Sequence, residues 1–278
     1  MTDPEVSSET LAHGVLARDR SMLAHAITLA ESASASHQTL VQDAVQRLLS
    51  RTGKAIRISV NGTHCANRNA FIESLGLRLI ELGHRVAVLA IDPGRQHPRG
   101  STPSQQTHMR DLSPQDEAFV HRSARDGCSA GVTRVTRTSL LLCEAAGFDV
   151  VLVETADDDP THSLVSEMVD CCLVLVSSVV DDQSPNMRES PLTMADIIAV
   201  IKADGSSEPP ASQLTATYQQ ALADLSPHGS WIPVAVACSV RIDVELDQLW
   251  QYVRQHRRQM IDTGEFIERR EQQTLRWS

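Results

Sequence analysis

Six apolar runs of strand length, IRISV, RVAVLAI, DVVLVE, CCLVLV, DIIAVI and IPVAVA, follow one another along the middle of the chain. Runs this short and this rich in Val, Ile and Leu suit strands buried on both faces. Helical stretches separate most of them, notably AFIESLGLRLIELG and TRVTRTSLLLCEAAG. Alternation of this kind requires right-handed crossovers and gives an α/β fold of three layers, with helices on both faces of a mainly parallel sheet. Aromatic residues make up only 3% of the chain, so the core must be built from smaller aliphatic side chains, as parallel sheets usually are. Functional loops of such a sheet lie at the carboxyl ends of its strands. The segments after Val60, Ile91, Val153, Val176 and Ile201 are therefore expected to share one crevice.

The two ends of the chain read differently. Residues 9 to 51 carry helical periodicity, as in LAHAITLAES and TLVQDAVQRLL, with no strand signal between them. From Val244 onward the sequence is again helical and charged, and Leu249, Trp250, Val253 and Met260 form an apolar side for packing on the domain or on a second subunit. The expected division is an N-terminal helical segment (1–52), an α/β domain (53–240) and a C-terminal helical arm (241–278). With 278 residues and 41% hydrophobic content, the chain can bury one large α/β core. A formal net charge of −10 without a basic stripe argues against nucleic acid as a partner. No apolar run reaches transmembrane length, and the polar start MTDPEVSSET is no signal peptide, so no membrane partner and a cytoplasmic location are expected. The six cysteines show no C-x-x-C pairing and mostly sit in apolar runs, which fits reduced thiols.

Residues 61–70, NGTHCANRNA, stand between a strand-like and a helix-like run, where a phosphate-binding loop belongs. A working loop would read G-x-x-x-x-G-K-[ST]. This one keeps Gly62 and then places Asn67, Arg68 and Asn69 where Gly, Lys and Ser or Thr are required. The frame of a nucleotide switch is present and its chemistry is replaced.

Long ordered stretches carry a family resemblance over nearly the whole chain: LAHAITLAES, LGLRLIELGHRVAVLAIDP, GVTRVTRTSLLLCEAAGFDVVLVET, MVDCCLVLV, ADIIAVIKADG and LWQYVRQHRRQMIDTGEFIERREQQTLRW. The chain resembles the MeaB/ArgK family of P-loop GTPases, G-protein chaperones of cobalamin-dependent acyl-CoA mutases. The resemblance implies a P-loop domain, GTP or GDP with Mg2+ as cofactors, a cobalamin-dependent acyl-CoA mutase as partner, and a homodimer. The family's terminal segment beyond the final Arg276–Trp277 is expected to be shortened here, with consequences for dimerisation.

Carried over residue by residue, the resemblance assigns nucleotide contacts to Gly62, Thr63, His64, Cys65, Ala66, Asn67, Arg68, Asn69 and Ala70, and to Lys202 and Asp204; it assigns metal contacts to Asn69, Asp92 and Glu154. The motifs depart from the family pattern at each loop. Where the first loop resembles GVPGVGKST, this chain reads GTHCANRNA. Backbone amides of such a loop cradle phosphates, and its Lys and Ser hold phosphate and magnesium. The Asn67 side chain crowds that approach, the planar fork of Arg68 is no substitute for an ammonium, and Asn69 offers a carbonyl in place of a hydroxyl. The switch resembling ETVGVGQSE reads ETADDDPTH, which turns Asp157, Asp158 and Asp159 toward the phosphate region, with Pro160 lacking an amide donor. SQQTHM stands for GDKTRM, with Gln105 at the acidic position, and IKAD stands for the base-reading NKAD.

A charge-assisted hydrogen bond contributes roughly 1.5–3 kcal/mol. Losing three would weaken GTP on the order of a thousandfold or more. The expectation is a pseudo-GTPase that binds or scaffolds a mutase, with nucleotide binding weak or lost and no catalytic residues. Two alternatives stay open: an active atypical GTPase using Arg68 and Asn69, and an enzyme of another kind using the acidic loop or Cys65. Asp157, Asp158, Asp159 and His162, with Asp181 and Asp182, have the oxygen-rich chemistry of a divalent-ion site, though a solvated acidic loop explains them more simply. Cys65 precedes a helix N-terminus, which lowers a thiol pKa, but no base is assignable to it. His64 and His108 are anion contacts or plain surface residues, and Asp92 is a metal-side acid or a loop starter before Pro93. Cys171 and Cys172 read as core residues.

Overall fold

The structure is a computed structural model that describes residues 6–63, 68–91, 109–123, 129–155, 161–177, 190–201, 211–223, 229–239 and 242–275. Among the described residues, seven parallel strands form one sheet: Ile56–Thr63 (β1), Val86–Ile91 (β2), Ala118–Ser123 (β3), Val150–Glu154 (β4), Cys171–Ser177 (β5), Ile197–Ile201 (β6) and Val234–Cys238 (β7). Their order is β3-β2-β4-β1-β5-β6-β7, so β1 lies at the centre. The sheet has one strand more than the six expected. Its extra member, β3, is an edge strand with the sequence AFVHRS; His121 and Arg122 interrupt the apolar pattern because one side of it pairs with nothing among the described residues.

Ten helices accompany the sheet among the described residues. Ser8–Leu16 (α1), Arg20–Glu31 (α2) and Ala35–Leu48 (α3) precede it; Arg68–Glu81 (α4), Ser129–Ala145 (α5), Thr161–Ser166 (α6), Ser190–Thr193 (α7) and Ala211–Ala223 (α8) connect its strands; Asp243–Asp262 (α9) and Glu265–Leu275 (α10) follow. Sequence chemistry sets several of their ends. Ser7 Oγ accepts the Thr10 amide (3.1 Å) to cap α1, and Asp19 accepts the amides of Ser21 (2.8 Å) and Met22 (3.1 Å) to cap α2. Gly83, at φ +88°, closes α4 in the left-handed conformation that glycine adopts without strain.

The period of two along each strand divides the core. Val151 and Val153 of β4, with Ala87, Leu89 and Ile91 of β2, face a cluster shared with α1, α2, α3 and α5. Val150 and Leu152 of β4, with Val86 and Val88 of β2, face the opposite cluster, which holds Phe71, Ile72 and Leu75 of α4 and Leu249, Trp250 and Val253 of α9. The apolar side read from the C-terminal sequence thus packs on the domain itself. Cys171 and Cys172 are buried in these clusters as expected, and burial pushes the Cys172 thiol up to about 12, an inert state.

At the amino end of the sheet, a buried charge network ties the last helix to the first strand. Arg57 of β1 donates from Nε to Glu144 of α5 (2.7 Å), and its backbone N–H donates to Asp170 (2.9 Å). Arg270 of α10 forks onto both Asp170 oxygens (2.6 and 2.7 Å) and onto the Ala55 carbonyl (3.1 Å). The Gly53 amide donates to the other Glu144 oxygen. Burial by itself lowers the pKa of Arg270, but the charges of Asp170 and Glu144 outweigh it and leave the guanidinium raised. Removing one member strands the others in a dry site. We expect Asp170→Ala to cost about 3–5 kcal/mol in urea unfolding. Arg78→Ala, which opens the more exposed Arg78–Asp247 pair (2.7 Å), should cost less. Equal losses in the two variants would contradict the ranking.

Candidate functional site

Because all seven strands are parallel, their carboxyl ends share one edge of the sheet. The central strand β1 reaches that edge in Asn61, Gly62 and Thr63, and β4, its neighbour, ends in Glu154 paired with Val60. Gly62, expected to open the loop, instead continues β1: Asn61, Gly62 and Thr63 pair with Val174, Leu175 and Val176 of β5. The reason is the length of β5, which goes on offering backbone groups beyond the point where β4 stops.

Five positions after Thr63, helix α4 begins at Arg68, so Arg68, Asn69 and Ala70 open its first turn. Arg68 Nε donates to Glu154 Oε1 at 3.0 Å. Glu154 is buried, and its second oxygen, Oε2, has no hydrogen-bond partner among the described residues. The next residue, Thr155, is fully enclosed; its amide donates to the Val60 carbonyl (3.3 Å) and its hydroxyl donates to the Asn61 side-chain oxygen. Side chains thus stitch β1, β4 and the start of α4 together at one point.

Of the residues named from sequence, the structure brings Arg68 into contact with Glu154, while Gly62 and Thr63 end β1 and Asn69 and Ala70 continue the first turn of α4. His64, Cys65, Ala66, Asn67, Asp92, Lys202 and Asp204 lie outside the described residues, as do Gln105, His108, Asp157, Asp158, Asp159, Pro160, Asp181 and Asp182. Strand β6 ends at Ile201, on the same edge. Among the described residues, no three His, Cys, Asp or Glu side chains are grouped to hold a metal ion. Asn61 and Thr155 were not singled out from sequence, although an Asn ending an apolar strand run was the available signal: buried at that place, it needs a partner.

The electrostatics of this corner suit a charge pair better than a divalent ion. Two unit charges about 4 Å apart interact by roughly 4 kcal/mol at an effective dielectric near 20. A divalent cation at Glu154 would meet the guanidinium with about twice that repulsion. The first turn of α4 supplies no hydroxyl, since Arg68, Asn69 and Ala70 occupy it. The described residues therefore do not fit Mg2+ as the resemblance would place it. The carboxylate of Glu154 is met instead by the guanidinium of the first residue of α4.

Comparison with known proteins gives a consistent result. Residues 23–278 match the family model described as methylmalonyl-CoA mutase-associated GTPase MeaB. A putative GTPase of Caulobacter vibrioides is 38% identical over 276 residues, covering 99% of this chain and 84% of the relative. A mitochondrial methylmalonic aciduria type A homolog of Mus musculus is 32% identical over 280 residues, covering 97% of this chain and 68% of the relative. Among solved structures, the LAO/AO transport system kinase superposes with a TM-score of 0.81 at 28% identity, covering 100% of this chain and 83% of that one. The match extends through both helical ends as well as the sheet, and the chain belongs to the MeaB family of mutase-associated GTPases.

Proposed function

We propose that this chain is a mutase-associated partner protein whose nucleotide site no longer drives a GTP cycle. The reading rests on one observation above all: in the first turn of α4, the cation at the phosphate-loop position is Arg68, and it is paired with Glu154. Its Nε is committed to a carboxylate, and a planar fork does not replace a lysine ammonium at a tight phosphate site. The partner class follows from the family, whose model is described by its association with methylmalonyl-CoA mutase. On this proposal the chain holds a cobalamin-dependent acyl-CoA mutase through surfaces outside the nucleotide crevice. The proposal includes a homodimer through the terminal helices, where Ile261, Ile267 and Leu275 are exposed. No helix among the described residues is long and apolar enough to cross a membrane.

A second reading is an active, atypical GTPase. The retained strand and helix on either side of the loop favour it, since β1 and α4 stand where a working loop would need them. The two readings part on nucleotide dependence. A ligand shifts a partner equilibrium only through differential affinity for the two states. Pull-down of mutase on the immobilised chain should then be the same, within about twofold, with GTP and Mg2+, with GDP and Mg2+, or with EDTA. Tighter retention with GTP would favour the atypical GTPase, and no mutase in any condition would remove the partner assignment.

Restoring the loop separates binding from turnover. Asn67→Gly, Arg68→Lys and Asn69→Ser together should gain nucleotide binding in equilibrium dialysis and remain poor in phosphate release. The acidic run Asp157, Asp158 and Asp159 and the Ile201 replacement are untouched by those changes. Fast turnover by the triple variant would show that neither is a block.

A further inference from the structure

Arg68 and Glu154 are separated by 86 positions in sequence and meet at 3.0 Å where the phosphate-loop helix begins. Glu154 is almost wholly enclosed, and one of its oxygens, Oε2, has no hydrogen-bond partner among the described residues. The neighbouring Thr155–Asn61 contact fixes the same strand end against β1. We propose that Arg68 is a tethered cation that takes the place of a divalent metal against Glu154, so that the corner joining β1, β4 and α4 is set without metal or nucleotide. This deepens the proposed function and rests on its premise that the crevice is the inherited nucleotide site.

Three physical properties make a guanidinium suited to this part. It keeps its charge throughout the physiological pH range, so the pair does not open by deprotonation of the cation. It is attached to the helix it positions, so its effective concentration at Glu154 far exceeds that of a free ion and no association entropy is lost. It also carries N–H donors in a plane, which suits a carboxylate. A divalent ion entering this corner has to displace a group that cannot leave, and a nucleotide that relies on such an ion meets the same obstacle. The pair therefore decides which ligand chemistry this corner rejects.

Removing the tethered charge should return the carboxylate to metals. The test is thermal unfolding of the whole chain in EDTA and in 5 mM Mn2+ or Mg2+, with Mn2+ occupancy followed by electron paramagnetic resonance. The wild type should show a Tm that moves by less than about 1 °C between these conditions and no bound Mn2+. Arg68→Gln and Arg68→Met should melt lower in EDTA, recover by about 3 °C or more in Mn2+, and bind one ion. Adding Glu154→Gln to either should abolish both the recovery and the bound ion. Metal-independent melting of both single variants, or Mn2+ bound at Glu154 in the wild type, overturns the proposal. Neither readout involves the mutase, so a failed pull-down and a failed metal test are separate results.

Discussion

Parallel pairing of all seven strands is the constraint on which the rest of this structure depends. It sends every strand's carboxyl end to one edge of the sheet and every amino end to the other. Side chains along the strands are committed to the two buried faces, so charge can be placed only where strands start and stop. Both edges are occupied accordingly. At the amino edge, Arg57, Glu144, Asp170 and Arg270 bind the last helix to the first strand. At the carboxyl edge, Arg68 and Glu154 bind the phosphate-loop helix to β4.

The two edges differ in what they leave over. The amino-edge network is dense: Asp170 accepts from both Arg57 and Arg270, and both Glu144 oxygens have partners. The carboxyl-edge pair uses one oxygen of Glu154 and leaves the other buried, with no partner among the described residues. A buried polar atom without a partner is costly and calls for a physical explanation. In this member of the family, the guanidinium of Arg68 in the first turn of α4 stands at that carboxylate.

Much of the sheet could be read from the chain, because Val- and Ile-rich runs bounded by helical periodicity leave few other arrangements. The edge strand β3 escaped that reading: its AFVHRS lacks the apolar continuity of a buried strand, since only one neighbour pairs with it. The carry-over of Gly62 to a loop also met a physical limit, because the end of β1 depends on how far β5 runs beside it, which no local pattern states. At the site, Arg68 and Glu154 were each legible by position, one as the loop's cation and one as the acid ending a strand. Their pairing was not legible. A contact 86 positions apart is created by the β1–β4 register and the placement of α4, neither of which has a sequence signature. The same holds for Arg57 and Arg270, ordinary charged residues in sequence that meet only through Asp170 and Glu144.

The central claim is that this member of a GTPase family does not depend on GTP, and calorimetric titration of the purified chain with GTP and Mg2+ tests it most directly. The account predicts no saturable heat at ligand concentrations up to about 1 mM, since several charge-assisted contacts are missing together. One-to-one binding with a dissociation constant of about 1–10 µM, abolished by EDTA, would contradict it.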